Sequence, residues 1–210
     1  MKIFSVSFCP LKKINHYEIE LKKCVDEIAQ TELFLENDND EVKNLAKAHK
    51  LKVEFFCFVT TSYIDWLCVY RNLQRSKSEW ENYYNIKIAY LIAYETINTY
   101  YKFKGEIYKT VKKDYEEFFH TFFDMLNREL ADFKDEFDYD KIMPKIRNKS
   151  VAHYDRNFLE YYSNFFLIEE YSHKDIIRSF LYFLNPLHYF TYALMNDEID
   201  QFLYINSWLS

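Results

Sequence analysis

An arginine and a histidine lie six positions apart in the stretch KIRNKSVAHYD, residues 145–155. Arg147 carries a planar guanidinium whose donors match the oxygens of a phosphate group. A histidine such as His153 can take or give a proton near neutral pH, and Asn148 can hold the phosphate or the imidazole in position. RNA supplies its own nucleophile, the 2′-hydroxyl beside each phosphodiester. We therefore expect Arg147, Asn148 and His153 to catalyse metal-independent transesterification of RNA.

The spacing of Arg147 and His153 has a geometric consequence if both lie on one helix. Six residues correspond to about 600° of rotation, or about 240° net, and to a rise of about 9 Å. The two side chains therefore cannot share a face of one straight helix. Either the helix ends or bends near His153, or two copies of the motif meet across a symmetry axis. A two-fold homodimer is the commonest way to obtain such an axis.

At these residues the chain resembles the HEPN domain family. The family's pattern is an Arg, usually a polar residue next, and a His after four to six intervening residues, late in a helical bundle. The resemblance implies a metal-independent endoribonuclease, commonly dimeric with a composite site at the interface. It also implies a toxin–antitoxin or phage-defence (abortive infection) role, with an antitoxin protein as a partner. Some toxins of the family carry a modified Tyr two residues after the His; here that position is Asp155, so this regulation is not expected.

Two local basic clusters stand out in a chain of net charge −6. Residues 141–156 carry five cations against Asp155, and residues 102–113 carry five lysines against Glu106, so each stretch has a net charge of +4. Cations near the site can hold the phosphates of RNA, whereas the acidic chain as a whole repels them. The lysines expected to bind RNA are Lys145, Lys149, Lys109, Lys112 and Lys113.

Composition predicts an all-α fold. The 210 residues include one Gly and three Pro, whereas sheet proteins lean on both residues at their turns. Hydrophobic residues make up 49% of the chain, which is enough for one sizeable core. We expect residues 1–210 to form a single HEPN-like bundle of about seven or eight helices. The alternation of residues 2–8 predicts a short extended N-terminal segment.

Periodicity and capping residues predict where the helices lie. The apolar face of the first helix should consist of Ile14, Tyr17, Leu21, Val25 and Ile28. Gly105 should terminate a helix with a positive φ, and Pro144 should lie in the first turn of the helix that carries the motif. The first four predicted helices are 14–36, 41–75, 78–103 and 106–134, and the third begins with a capping box. The motif helix follows, and further helices should start near residues 155–157, 172 and 185–186.

Cysteine usage and hydropathy predict the compartment. The four cysteines, at positions 9, 24, 57 and 68, form no C-x-x-C motif, and the first residues lack the pattern of a signal peptide. No stretch offers about 20 consecutive apolar residues. We therefore expect reduced thiols in a cytoplasmic protein, with no membrane span, no metal and no cofactor.

Two other function classes compete with RNA cleavage. Glu117 with His120 and Glu170 with His173 form Glu-x-x-His pairs, the spacing of ferritin-like di-iron proteins. Against this alternative, Ser172 has the character of an N-cap, which would place a helix break between Glu170 and His173. The second alternative is a catalytically inactive bundle that only binds a partner protein or RNA, for which a Tyr-rich surface is suited.

Overall fold

Seven α-helices and no strand make up the part of the chain that the computed structural model describes, namely residues 10–110, 115–146, 159, 163 and 173–205. The prediction of an all-α fold is confirmed. The predicted extended segment at 2–8 and the helix start predicted near 155–157 lie outside the described residues. The helices are α1 Pro10–Phe34, α2 Asp40–Arg75, α3 Glu79–Thr110, α4 Glu116–Glu136, α5 Tyr139–Ile146, α6 His173–Met195 and α7 Ile199–Ile205.

Side-chain caps define the starts of α2 and α3. Asn39 accepts hydrogen bonds from the backbone N–H groups of Glu41 (2.8 Å) and Val42 (3.4 Å), which satisfies donors that have no partner within the helix. Ser78 accepts from the N–H of Glu81 at 3.2 Å, and the Glu81 carboxylate accepts from the N–H of Lys77 at 2.6 Å. The predicted capping box is thus present, with its return bond one residue earlier than usual.

The prediction that Gly105 ends a helix is wrong. No glycine has a positive φ, and α3 continues through Gly105 to Thr110. A mid-helix glycine costs about 1 kcal/mol relative to alanine, but the extra residues bring contacts that offset this cost. Ile107 is fully buried, and the Tyr108 hydroxyl donates to the carbonyl of Phe119 at 3.2 Å. The predicted helix 106–134 is therefore divided between α3 and α4.

Both proline predictions also need correction. Pro144 is the sixth residue of α5, which begins at Tyr139, and is not in its first turn. Pro186 lies inside α6 and starts no helix. A proline removes one backbone hydrogen bond, but residues on both sides of Pro186, Leu184 and Leu187, are fully buried. Their burial keeps the helix continuous through the proline. The helix start predicted near residue 172 lies outside the described residues, which resume within α6 at His173.

Aromatic side chains from α2, α3, α4 and α6 form the main core. Trp66 donates from Nε1 to the carbonyl of Ile177 at 3.1 Å, and its ring lies 4.5 Å from that of Phe180. Phe180 also lies 5.1 Å from Phe133. All of these side chains are buried, and rings of this size dominate the stabilisation of a core by burial.

Helix α1 packs mainly against α2 through a heptad-spaced seam. The prediction that Val25 lies on this face is wrong. The Val25 side chain is 63% exposed, and the buried residue at this point of the seam is Cys24. The seam recurs at three- and four-residue intervals, the pattern of helix pairs that cross at a shallow angle. Its members, all buried or half-buried, are Ile14, Tyr17, Leu21, Cys24, Ile28 and Thr31.

By length and composition α2 could cross a membrane, and it is the one such helix among the described residues. Of its most apolar window, 56% is buried inside the protein. Core helices of globular proteins meet the same criterion, since it counts only length and residue type.

Candidate functional site

Helix α5 leads directly into the predicted catalytic stretch. Its described part runs to Ile146, the residue before Arg147, while Arg147, Asn148, Lys149 and His153 lie outside the described residues. Within α5, Ile142, Met143 and Ile146 are buried and Lys145 is exposed in the last turn. Of the cations predicted around the motif, Lys145 is thus accessible to a polyanion.

The start of α5 is fixed by ring contacts with α3 and α4. Tyr139 is buried, with its ring 6.5 Å from Tyr90 and 5.7 Å from Phe133. Lys134 lies over the Tyr139 ring at 5.5 Å and pairs with Asp140 at 3.5 Å. Burial raises the pKa of the Tyr139 hydroxyl, so Tyr139 stays neutral at physiological pH. This end of α5 therefore offers a fixed support, not a reactive group.

The described lysines of the second basic cluster, Lys102, Lys104 and Lys109, lie along one continuous helix, α3, instead of around a break. Lys102 and Lys109 are exposed on α3, and seven residues bring them to within about 20° of the same face, about 10 Å apart. Lys104 is half-buried over the Phe123 ring at 5.5 Å, and burial lowers its pKa. Lys112 and Lys113 lie outside the described residues.

The structure does not bring Lys109 close to the start of α5. Tyr139 contacts α3 at Tyr90, 19 positions before Lys109, which corresponds to about 28 Å along the helix. A nucleic-acid strand that touched both regions would have to extend over about eight phosphates at duplex spacing.

The residues proposed for the alternative di-metal site are placed in part. Glu117 and His120 are exposed in the first turns of α4, and His120 Nδ1 lies 3.4 Å from the Tyr108 hydroxyl. Glu170 and the side chain of His173 lie outside the described residues. Within the described ranges, no group of three or more His, Cys, Asp or Glu side chains could hold a metal ion.

Sequence reasoning missed a buried histidine between α1, α2 and α6. His188 is 3% exposed, and its Nε2 has no hydrogen-bond partner among the described residues. Its ring stacks on Tyr63 at 4.9 Å and meets Tyr17 edge-on at 4.6 Å. Burial lowers the pKa of His188 to about 4, and the positive charges of Lys13 and His16 act in the same direction. In the sequence, the one indication of this contact is that Tyr17 occupies a heptad position on the buried face of α1.

A shallow pocket of about 420 Å³ lies between α1 and α2. His49 Nε2 and Glu27 Oε1 are 2.7 Å apart at its wall, and Phe34 and Leu45 add apolar surface. Phe34, Leu45 and the nearby Leu33 are 54%, 66% and 74% exposed. Apolar exposure of this kind is typical of an interaction surface.

Comparison with known proteins gives no relative: no protein-family model, no curated protein and no solved structure matches the chain.

Proposed function

We propose that this protein is a metal-independent endoribonuclease, acting as a toxin or phage-defence effector, whose catalytic residues are Arg147 and His153 with Asn148 in support. The observation that carries the proposal is the Arg147-Asn148…His153 spacing directly after an amphipathic helix late in an all-α chain. The buried face of α5 supports it, because that face anchors the backbone that enters the motif. The exposed Lys145 adds a cation beside it.

The chemistry needs only the groups that the motif supplies. His153 takes the proton of a ribose 2′-hydroxyl, and the 2′-oxygen attacks the adjacent phosphorus. The bond from phosphorus to the 5′-oxygen breaks, and that oxygen receives a proton from water. Arg147 neutralises the charge that develops on the non-bridging oxygens. The products are a 2′,3′-cyclic phosphate and a 5′-hydroxyl end.

A homodimer is part of the proposal, because Arg147 and His153 cannot share a face of one straight helix and a two-fold axis is one way to bring them together. Two copies of the stretch after α5, related by a two-fold axis, would let the arginine of one chain approach the histidine of the other. Light scattering at micromolar concentration tests this step. A strictly monomeric protein that still cleaves RNA would refute the composite site.

The direct test is cleavage of a defined RNA by the purified protein. His153→Ala and Arg147→Ala should each lower the rate by about 10²–10⁴-fold, the usual contribution of a general acid/base or a charge-stabilising group. His120→Ala is the matched control, because His120 is an exposed histidine on α4, and its rate should be unchanged. Mass spectrometry should find cyclic phosphate ends, and EDTA should have no effect.

Two results contradict the proposal. One is a His153→Ala variant that cleaves as fast as the parent. The other is cleavage that EDTA abolishes, which would favour a metal-dependent reaction. Expression of the parent and of His153→Ala in bacteria tests the toxin role, since only the parent should arrest growth.

A second candidate function is a non-catalytic binding module, favoured by the exposed Leu33, Phe34 and Leu45 around the α1–α2 pocket. Such a module would bind a partner whether or not Arg147 and His153 were intact. Leu45→Glu should then abolish partner binding, whereas His153→Ala should not. If the endoribonuclease proposal is correct, Leu45→Glu leaves RNA cleavage unchanged.

A further inference from the structure

Three sulfur atoms converge where α1, α2 and α6 meet. Cys24 of α1 donates from Sγ to Sδ of Met195 of α6, at a distance of 3.8 Å. Cys57 of α2 packs against Cys24 in the same small cluster and is within hydrogen-bonding reach of its thiol. Cys24 thus contacts both Cys57 and Met195, although Met195 lies 171 positions away in the sequence.

One sulfur–sulfur separation in the cluster fits two ligands of a shared metal ion. A metal–sulfur bond of about 2.3 Å places two sulfur ligands about 4.0 Å apart in trigonal geometry and about 3.8 Å apart in tetrahedral geometry. The Cys24–Met195 separation of 3.8 Å falls in this range without movement of the backbone. Thiolate and thioether ligands together select a soft cation such as Cu(I). The set contains no imidazole or carboxylate, which would favour zinc or harder ions.

We propose that Cys24, Cys57 and Met195 form a binding site for a soft monovalent cation, Cu(I), at the junction of α1, α2 and α6. On binding, the two thiols give their protons to the solvent and the thioether adds a neutral ligand. The site then carries one cation and two thiolates, with a net charge of −1. The oxidation state of the metal does not change.

The surroundings supply both an apolar wall and a route of access. Cys24 is 3% exposed, and Val53 and Phe56 beside it are fully buried. An apolar wall of this kind excludes water and so protects Cu(I). Cys57 and Met195 are half-buried and so are partly open to solvent. A cation can therefore reach Cys24 between these two ligands.

Metal binding would tie α1 to α6. Helix α1 packs chiefly on α2, and the sulfur cluster is one of the few places where its side chains reach α6. A ligand that binds only the folded state stabilises that state. Occupancy should therefore raise the melting temperature and protect α1 from local opening.

The test is an anaerobic titration of the reduced, full-length protein with Cu(I) in competition with bicinchoninate. We expect one Cu(I) per chain, and X-ray absorption should show three sulfur ligands at about 2.3 Å. Cys24→Ala and Cys57→Ser should each weaken binding by more than about 100-fold, and Met195→Leu by at least about tenfold, since ligand loss exceeds the effect of outer-shell changes. Silver(I) serves as a redox-inert probe for the melting experiment.

The matched control is Cys9→Ser combined with Cys68→Ser, which leaves Cys24 and Cys57 as the only thiols. This double variant should bind as the parent does. The proposal is overturned if the double variant loses binding, or if Met195→Leu binds as tightly as the parent. It is also overturned if the parent binds no more Cu(I) than the Cys57→Ser variant does. In that case the cysteines act only as apolar packing groups. Should Cys24→Ala fail to fold, Cys57→Ser and Met195→Leu still decide, because their side chains are only half-buried and leucine conserves the volume of methionine.

Discussion

The two sides of α2 are packed with different chemistry. On the side of α3, α4 and α6, large rings such as Trp66 and Phe180 are fully buried. On the side of α1, the seam contains a tyrosine, a cysteine and a threonine, and only Cys24 and Thr31 of α1 are buried. Because apolar burial is the main stabilising term, we expect the aromatic core to hold the fold and α1 to open first.

The two sides also differ in their polar groups. Across the α1–α2 interface, Glu27 pairs with His49 at 2.7 Å and Glu32 pairs with Lys50 at 2.6 Å. Within the aromatic core, Trp66 donates a hydrogen bond to the backbone carbonyl of Ile177. Polar side-chain pairs thus join α1 to α2, and pH and salt can act on them.

Truncation within the aromatic core should have the largest effect. Phe180→Ala removes a fully buried ring that contacts Trp66, Phe133 and Phe183, so the free energy of unfolding should fall by about 3–5 kcal/mol. Tyr182→Ala is the control, because Tyr182 lies on the same helix and is 55% exposed. Urea denaturation followed by circular dichroism measures both. A loss below about 1 kcal/mol for Phe180→Ala would mean that the core is not the stable side.

Acid should destabilise the protein through His188, which lies between the two sides. The folded-state pKa of about 4 is below the ordinary value of 6.5, so below pH 6.5 the unfolded chain binds a proton that the folded chain excludes. Stability should therefore fall as the pH is lowered from 6.5 to 4 and then level off. The lost stability is about 3 kcal/mol for a shift of this size.

The measurement is the difference between the parent and His188→Phe in urea unfolding at pH 7, 5.5 and 4. Phenylalanine keeps a ring among Tyr17, Tyr63 and Phe56 and removes the titrating group. The parent should lose stability relative to the variant as the pH falls. Parallel pH profiles for the two proteins would show that His188 is not excluded from water in the folded state.

Loss of the cap at the α1–α2 turn should have a smaller effect. Asn39→Ala removes the side chain that accepts from the N–H groups of Glu41 and Val42, which should cost about 1 kcal/mol. Asn39→Asp is the control, because aspartate caps equally well. Thermal unfolding measures both variants, and equal melting temperatures for Asn39→Ala and the parent would show that the turn contributes nothing to stability.

The sequence was informative where a residue acts locally and less so where distant contacts decide. The capping box at Ser78 and the bounds of α2 follow from side chains within four residues of the helix ends, so they were predictable. The local preference of Gly105 is overridden by the contacts of Ile107 and Tyr108, and that of Pro186 by burial on both sides. No single-sequence rule reveals the partners that offset those preferences.

The candidate sites show the same division. The Arg147…His153 motif is visible in the sequence because its members are six positions apart, and its chemistry stays a prediction. His188 with Tyr17 and the sulfur cluster at Cys24 join residues 171 positions apart. The predicted α1 face included Val25, which is exposed. The heptad spacing, however, selects Cys24, and that spacing was the better guide.

The smallest expected effect concerns the 2.7 Å contact between Glu27 and His49, whose side chains are 41% and 37% exposed. Solvent screens a pair of this exposure, so a double-mutant cycle with Glu27→Gln and His49→Gln should give a coupling of about 0.2–1 kcal/mol. In 1 M salt the Debye length is about 3 Å, and the coupling should fall towards zero. Lys22→Gln is the control, because Lys22 pairs with Glu18 on the outer face of α1 and should change stability even less. A coupling above about 2 kcal/mol that persists in high salt would mean that α1 is held by its polar contacts as firmly as the core is held by its rings. In that case the difference between the two sides of α2 would be one of chemistry alone, and α1 would not open before the rest of the bundle.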